Sequence, residues 1–195
     1  ENPYIGVIVQ AQSFLKASLN AGRELLRPLT SAGVPQSTDA HAVADPAVIH
    51  QSQALVPIRS IGPSERERVV NHLIALDAHD RYLRFGYVAT DEHIHRYAAG
   101  LDFERDDIFG IYNRKLELIA MAHLAFSVDP QRASCAEFGV SVLPHARGRG
   151  YGGRLFDRAV MHSRNQGVTM IYIHALSENT NMLNIVRKAG ASVVR

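Results

Sequence analysis

Apolar residues recur along the chain with two periods, and the switches between them mark out its elements. In residues 1–29, Leu15, Ser18, Leu19, Gly22, Leu25, Leu26 and Leu29 form an amphipathic stripe at helical spacing that ends near Pro28. Such a helix needs a surface to pack on, either the rest of the chain or a second copy in a homodimer. Its polar face is not rich in lysine, which argues against a membrane surface. Residues 30–53 turn to Ser, Thr, Pro, Ala, His and Asp without a period and read as a linker. The pattern therefore divides the chain into an extension, residues 1–53, and a domain, residues 54–195.

Within the domain, residues 55–61 read as a first strand. Ser64-x-x-Glu67 is a capping box that opens a helix carrying Val69, Val70, Leu73, Ile74 and Leu76. A second helix is expected over 90–100, and a hairpin over 107–113 and 116–128 around the polar turn at Asn113, Arg114 and Lys115. Phe138, Val140 and Val142 alternate with Gly139, Ser141 and Leu143 in a strand that Pro144 ends. Leu155, Phe156, Ala159, Val160 and Ser163 then give an apolar helical face, closed by Gly167. A strand over 168–176, a helix over 179–188 with Gly190 as its left-handed cap, and a last strand complete the order β, α, α, β, β, β, α, β, α, β. This order predicts an α/β fold with helices on both faces of a mixed sheet.

Composition narrows the class. The chain has 195 residues, 46% hydrophobic and 21% charged, enough for one sizeable core. No apolar run approaches the roughly 18 residues of a membrane span, and residues 1–29 lack the regions of a signal peptide. The single cysteine, Cys135, excludes an internal disulfide and fits a reducing cytoplasm; it reads as a small buried residue rather than a nucleophile. A net charge of +2 is too small for general nucleic-acid binding. Of the ten histidines, His93 and His95 lie two apart on a predicted helix and face different ways, so no metal is expected.

The chemistry gathers where the strand ending at Val142 hands over to a helix through Gly148, Gly150, Gly152 and Gly153. The first N–H groups of a helix have no partner inside it, and the helix dipole adds positive charge there, so such a turn can hold a pyrophosphate. Arg147, Arg149, Arg154 and Arg158 add basic charge around it. Gly148-x-Gly150-x-x-Gly153 formally matches a dinucleotide fingerprint, but the next strand, Met170-Ile-Tyr-Ile-His-Ala-Leu176, carries no acidic residue for a ribose. A Walker A loop would need Gly-Lys-Ser/Thr, which is absent.

Arg147-x-x-Gly150-x-Gly152 resembles the Arg/Gln-x-x-Gly-x-Gly/Ala signature of the GNAT acetyltransferase superfamily, and the segment from Glu178 to Gly190 resembles a second motif of the same family. The Arg81-Tyr-Leu-Arg-Phe85 wording is similar to the acceptor side of bacterial protein-lysine acetyltransferase domains. The resemblance implies the GNAT fold, a central and mostly antiparallel sheet, here without the full final hairpin that usually follows the last helix. It implies N-acetyl transfer from acetyl-CoA to a primary amine, of a small molecule or a protein lysine, by direct transfer. Val140, Ser141 and Val142 would contact the pantetheine arm. Arg147, Gly148, Arg149, Gly150, Tyr151, Gly152 and Gly153 would hold the pyrophosphate, and Asn179 would add a further contact. Glu137 and His174 are the two candidate bases. Where many members carry a tyrosine that protonates the leaving thiolate, this chain has Val186, leaving water, Tyr87, Tyr151 or Ser177. That departure leaves a second reading open, a catalytically weak acyl-CoA-binding sensor.

Overall fold

The computed structural model of the chain describes residues 4–10 and 56–194. Seven strands are present there: β1 (Tyr4–Gln10), β2 (Ile58–Ser60), β3 (Asp107–Tyr112), β4 (Leu118–Phe126), β5 (Cys135–Val142), β6 (Met170–Leu176) and β7 (Ser192–Val194). The helices are α1 (Arg66–Ile74), α2 (Ala78–Phe85), α3 (Asp91–Ala99), α4 (Tyr151–Asn165) and α5 (Thr180–Lys188). The strands form one sheet in the order β2-β3-β4-β5-β6-β1-β7, antiparallel at every pairing except β5 with β6.

Successive side chains of β5 point to opposite faces, and this sorts the helices. Phe138 meets the ring of Phe156 on α4, with 5.2 Å between centroids. Ser141 meets His72 on α1, at 2.8 Å. Helices α1 and α4 therefore cover opposite faces. Leu155, Phe156, Ala159 and Val160 of α4 are buried, as are Val69, Val70 and Leu73 of α1, so the expected stripes do form the two layers of the core.

Three helices, not two, separate β2 from β3. In residues 78–85 no apolar side chain is fully buried, and the bounds of α2 are set by its caps. The Asp77 carboxylate accepts from the Asp80 N–H at 2.8 Å, and Gly86 closes the helix in the left-handed conformation, φ 80°.

The far end of the sheet is completed in a way the sequence did not announce. The hairpin expected to be missing after the last helix has its place filled from both ends of the chain: β7 follows α5, and β1 lies between β6 and β7, antiparallel to each. Residues 4–10 thus pair into the sheet, and four of the five residues in Ile-Gly-Val-Ile-Val are β-branched, which suits a strand. The stripe over 15–29 and the linker over 30–53 lie outside the described residues.

His72 is the buried polar anchor of α1. Its Nδ1–H donates to the Leu118 carbonyl and its Nε2 accepts from the Ser141 hydroxyl, both at 2.8 Å. Burial holds its pKa down at about 4 against 6.5 for a free imidazole. The unfolded chain therefore binds a proton at this site between those values that the native chain refuses. The resulting stability is complete above pH 6.5 and is lost as pH falls toward 4, by about 3 kcal/mol. Denaturant titrations at pH 7 and pH 4.5 are expected to differ by most of that amount, and His72→Gln should flatten the difference. An equal loss in the variant would rule out His72 as its source.

Candidate active site

The parallel pairing of β5 with β6 runs only from Cys135↔Met170 to Glu137↔Tyr172. Beyond that register both strands continue, β5 to Val142 and β6 to Leu176, without bonding each other. They part like the arms of a V, and two cavities open along the split.

The first cavity, about 400 Å³, lies at the glycine turn. Gly148 and Gly150 both adopt φ +74°, a conformation other residues rarely take, and this double kink swings the chain from β5 into α4. No side chain caps α4, so its first N–H groups are left open to a ligand. A Cβ at Gly148, Gly150 or Gly153 would meet nothing within 4 Å, which leaves room for a polyphosphate against the backbone. Val140, Ser141 and Val142 line one side; Arg147, Gly148, Gly150, Tyr151, Gly152 and Gly153 line the turn; Asn179, Asn181, Met182 and Ile185 come from the start of α5.

The arginines divide. Arg147 lines the cavity and is ion-paired with Asp80 of α2, tying the turn to that helix. Arg149 is exposed and does not line the cavity. Arg154 donates to the Val56 carbonyl at 2.5 Å, and the Arg158 guanidinium stands 5.5 Å from the Phe109 ring, so both serve the scaffold rather than the turn.

The second cavity, about 310 Å³, holds both candidate bases. Glu137 is the last residue of β5 paired with β6. Its partner Tyr172 lies two before His174, so period two brings Glu137 and His174 to the same face. Leu83, Arg84, Val140, Asn179 and Met182 line both cavities and form the passage between them. At this passage the Arg84 guanidinium lies against Gly139, where a Cβ would stand 2.6 Å from the Arg84 Cζ.

A family model for the acetyltransferase (GNAT) family matches residues 74–191, more than half of the chain. The chain belongs to the GNAT family. It is an acyltransferase by that membership, and solved GNAT structures share its fold. The GNAT domain of the S. lividans PAT superposes with a TM-score of 0.60 at 21% identity, covering 71% of this chain and 82% of that one. A GNAT-family acetyltransferase from Colwellia psychrerythraea gives 0.57 at 18% identity, covering 71% of this chain and 47% of the other. Spermidine N-acetyltransferase from Vibrio cholerae, in complex with CoA and spermine, gives 0.54 at 18% identity over 69% of this chain and 79% of that one. At such identities the likeness speaks for the fold. No curated protein matches the chain by sequence.

The second cavity of this GNAT domain is backed by a hydrogen-bonded chain of five side chains. Arg84 Nη2 donates to the Tyr97 hydroxyl oxygen at 3.0 Å, and Tyr97 meets His123 Nδ1 at 2.7 Å. His123 Nε2 meets Asp106 Oδ2 at 3.0 Å. Arg105 clamps the same carboxylate through Nε at 2.6 Å and Nη2 at 2.8 Å. Burial pushes the Asp106 carboxyl up, but hydrogen bonds from Arg105 and His123 outweigh it and hold it below the usual carboxylate range. An ionised Asp106 fixes the proton of His123 on Nε2, so Nδ1 is the acceptor and Tyr97 the donor. Burial lowers His123 and raises Tyr97, so both are neutral near pH 7.

The sequence pointed to Arg84 through the segment it belongs to, but not to His123 or Asp106. The available signal was a lone imidazole inside the apolar run Leu118–Phe126, opposite Gly139 in the register. Of the hydroxyls considered for the thiolate, Tyr151 lines the first cavity at the glycine turn, whereas Tyr87 and Ser177 line neither cavity. Val186 is fully buried in the core. Among the described residues no cluster of three metal-ligating side chains occurs, and no helix is long and apolar enough to cross a membrane.

Proposed function

We propose that this chain transfers an acetyl group from acetyl-CoA directly to a primary amine. The observation that carries the reading is the pair of cavities that meet beside Val140, in the split between β5 and β6 that opens past Glu137. In this reading the pyrophosphate rests on the N–H groups around Gly148, Gly150, Gly152 and Gly153. Arg147, held by Asp80, forms the wall beside it; Arg149 contributes only long-range charge. The pantetheine arm runs along the backbone of Val140, Ser141 and Val142, with Asn179 and Met182 on its other side. The thioester arrives at the passage beside Arg84, and the amine enters from the second cavity.

An ammonium must lose a proton before it can attack. Glu137 takes it, at the apex of the split and open to solvent, and His174 on the same face is the second candidate for this step. Attack forms the C–N bond and breaks the C–S bond. Tyr151 stands at the pyrophosphate end, so water protonates the departing thiolate. The setting is a reducing cytoplasm, and neither nucleic acid nor a membrane takes part.

Titration calorimetry of the chain with acetyl-CoA and with CoA, using NAD as the control, tests the donor site. Saturable binding of the two CoA compounds alone is expected; binding of NAD alone, or of nothing, would overturn it. Turnover is then sought with spermidine, a peptide with N-terminal alanine and a lysine-containing peptide. The first two follow the names of a spermidine and a ribosomal-protein-alanine acetyltransferase of the same fold. The aliphatic Val186 favours the alternative of an acyl-CoA-binding sensor, which would bind CoA and acetylate none of them.

A further inference from the structure

The conversion of an ammonium into an amide removes two protons from one nitrogen. Glu137 accounts for the first. The second leaves during or after attack, when the nitrogen is bonded to the acyl carbon and strongly acidic, and it needs an acceptor inside the cavity. Tyr97 and His123 line that cavity and belong to a chain of hydrogen bonds leading away from it to Asp106.

We propose that Tyr97, His123 and Asp106 carry this second proton out of the acceptor cavity, with Arg84 steadying the charge that develops on the Tyr97 oxygen. The inference rests on the proposed acetyl transfer. As the C–N bond forms and the thiolate leaves with the C–S electron pair, the nitrogen gives its proton to the Tyr97 oxygen. Tyr97 passes its own proton to His123 Nδ1, 2.7 Å away. His123 becomes an imidazolium facing Asp106, and later releases the proton to solvent. Tyr97 is the group that meets the amine; His123 and Asp106 act through it.

The directions of the hydrogen bonds fit the task. Asp106, clamped by Arg105 and also accepting from the Phe126 N–H at 3.3 Å, holds the imidazole in one tautomer with Nδ1 toward Tyr97. The Arg84 bond reaches the Tyr97 oxygen and lowers the cost of negative charge there. Arg84 takes this position because residue 139 is glycine. The charged and titratable groups facing His123 are Asp106 on one side, Tyr97 and Arg84 on the other, and Glu137 on the neighbouring strand. A neutral His123, favoured by burial, is able to receive a proton.

The test uses the full chain and the fastest of the three amine probes. Tyr97→Phe and His123→Gln are each expected to lower kcat about 100-fold, with the CoA dissociation constant and the KM for acetyl-CoA unchanged. His123→Ala should lose as much and recover with added imidazole, the recovery rising with the basicity of substituted imidazoles. Wild-type turnover that persists within twofold in Tyr97→Phe and His123→Gln would overturn the relay and leave the proposed function standing. A His123→Ala loss that no imidazole restores would assign His123 to structure alone and overturn it too. A wild-type chain that acetylates none of the amines would remove the proposed function and the relay together.

Discussion

Gly150→Val is expected to weaken CoA binding about 100-fold while leaving the fold in place. Gly150 adopts φ +74°, immediately before the first residue of α4. A β-branched residue is strained there by about 1–2 kcal/mol. Relief of that strain would rotate the peptide units whose N–H groups are aimed at the pyrophosphate. Loss of one or two hydrogen bonds to a charged oxygen amounts to about 3 kcal/mol, or about two decades in affinity. The fold should survive, because the added side chain points into open space with no atom within 4 Å of its Cβ. Melting temperature is expected to fall by about 2–8 °C, and calorimetry with CoA reads the affinity. Unchanged affinity would sink the assignment of the turn.

Glu137→Gln is expected to lower kcat with the best amine by about 100-fold or more, with CoA affinity unaltered. Glutamine keeps the shape of the side chain and removes the capacity to take a proton. Raising pH should partly restore the variant, because more of the amine then arrives already neutral. His174→Gln, made beside it, separates the two candidates. Glu137 stands where β5 and β6 part, next to Ala125 and two residues from Gly139, whereas His174 lies further along β6 opposite Gly6. The larger loss is therefore expected at Glu137. Equal rates in Glu137→Gln and wild type would remove its role as the base.

What the sequence made legible follows from how far apart the cooperating residues lie. The glycine turn and the start of α5 could be read because each is a contiguous segment whose backbone conformation depends on its own residues. Glu137 and His174 came forward as candidates through the family resemblance, which needs only the order of the strands. By contrast, Arg84, Tyr97, Asp106 and His123 come from three separate elements and a loop. The pairing of β3 with β4 brings Asp106 to His123, and that of β4 with β5 sets His123 opposite the Gly139 on which Arg84 lies. Helix α2 escaped because it is only eight residues long and its boundaries rest on Asp77 and Gly86. Strand β1 escaped because nothing local to residues 4–10 names a partner in residues 170–176 or 192–194.

That last pairing has a consequence for how the molecule comes together on the ribosome. Strand β1 leaves the exit tunnel before the other strands of this sheet, yet every residue it pairs with lies at least 160 positions later, in β6 and β7. Its backbone groups find these partners only once β6 and β7 have been made, and closing so long a loop is entropically slow. The sheet from β2 to β5 can assemble in the meantime from neighbours close in sequence. The strand that binds β6 to β7 is thus made before the rest of this sheet and docks after it, and during that interval its open edges are exposed to wrong pairing.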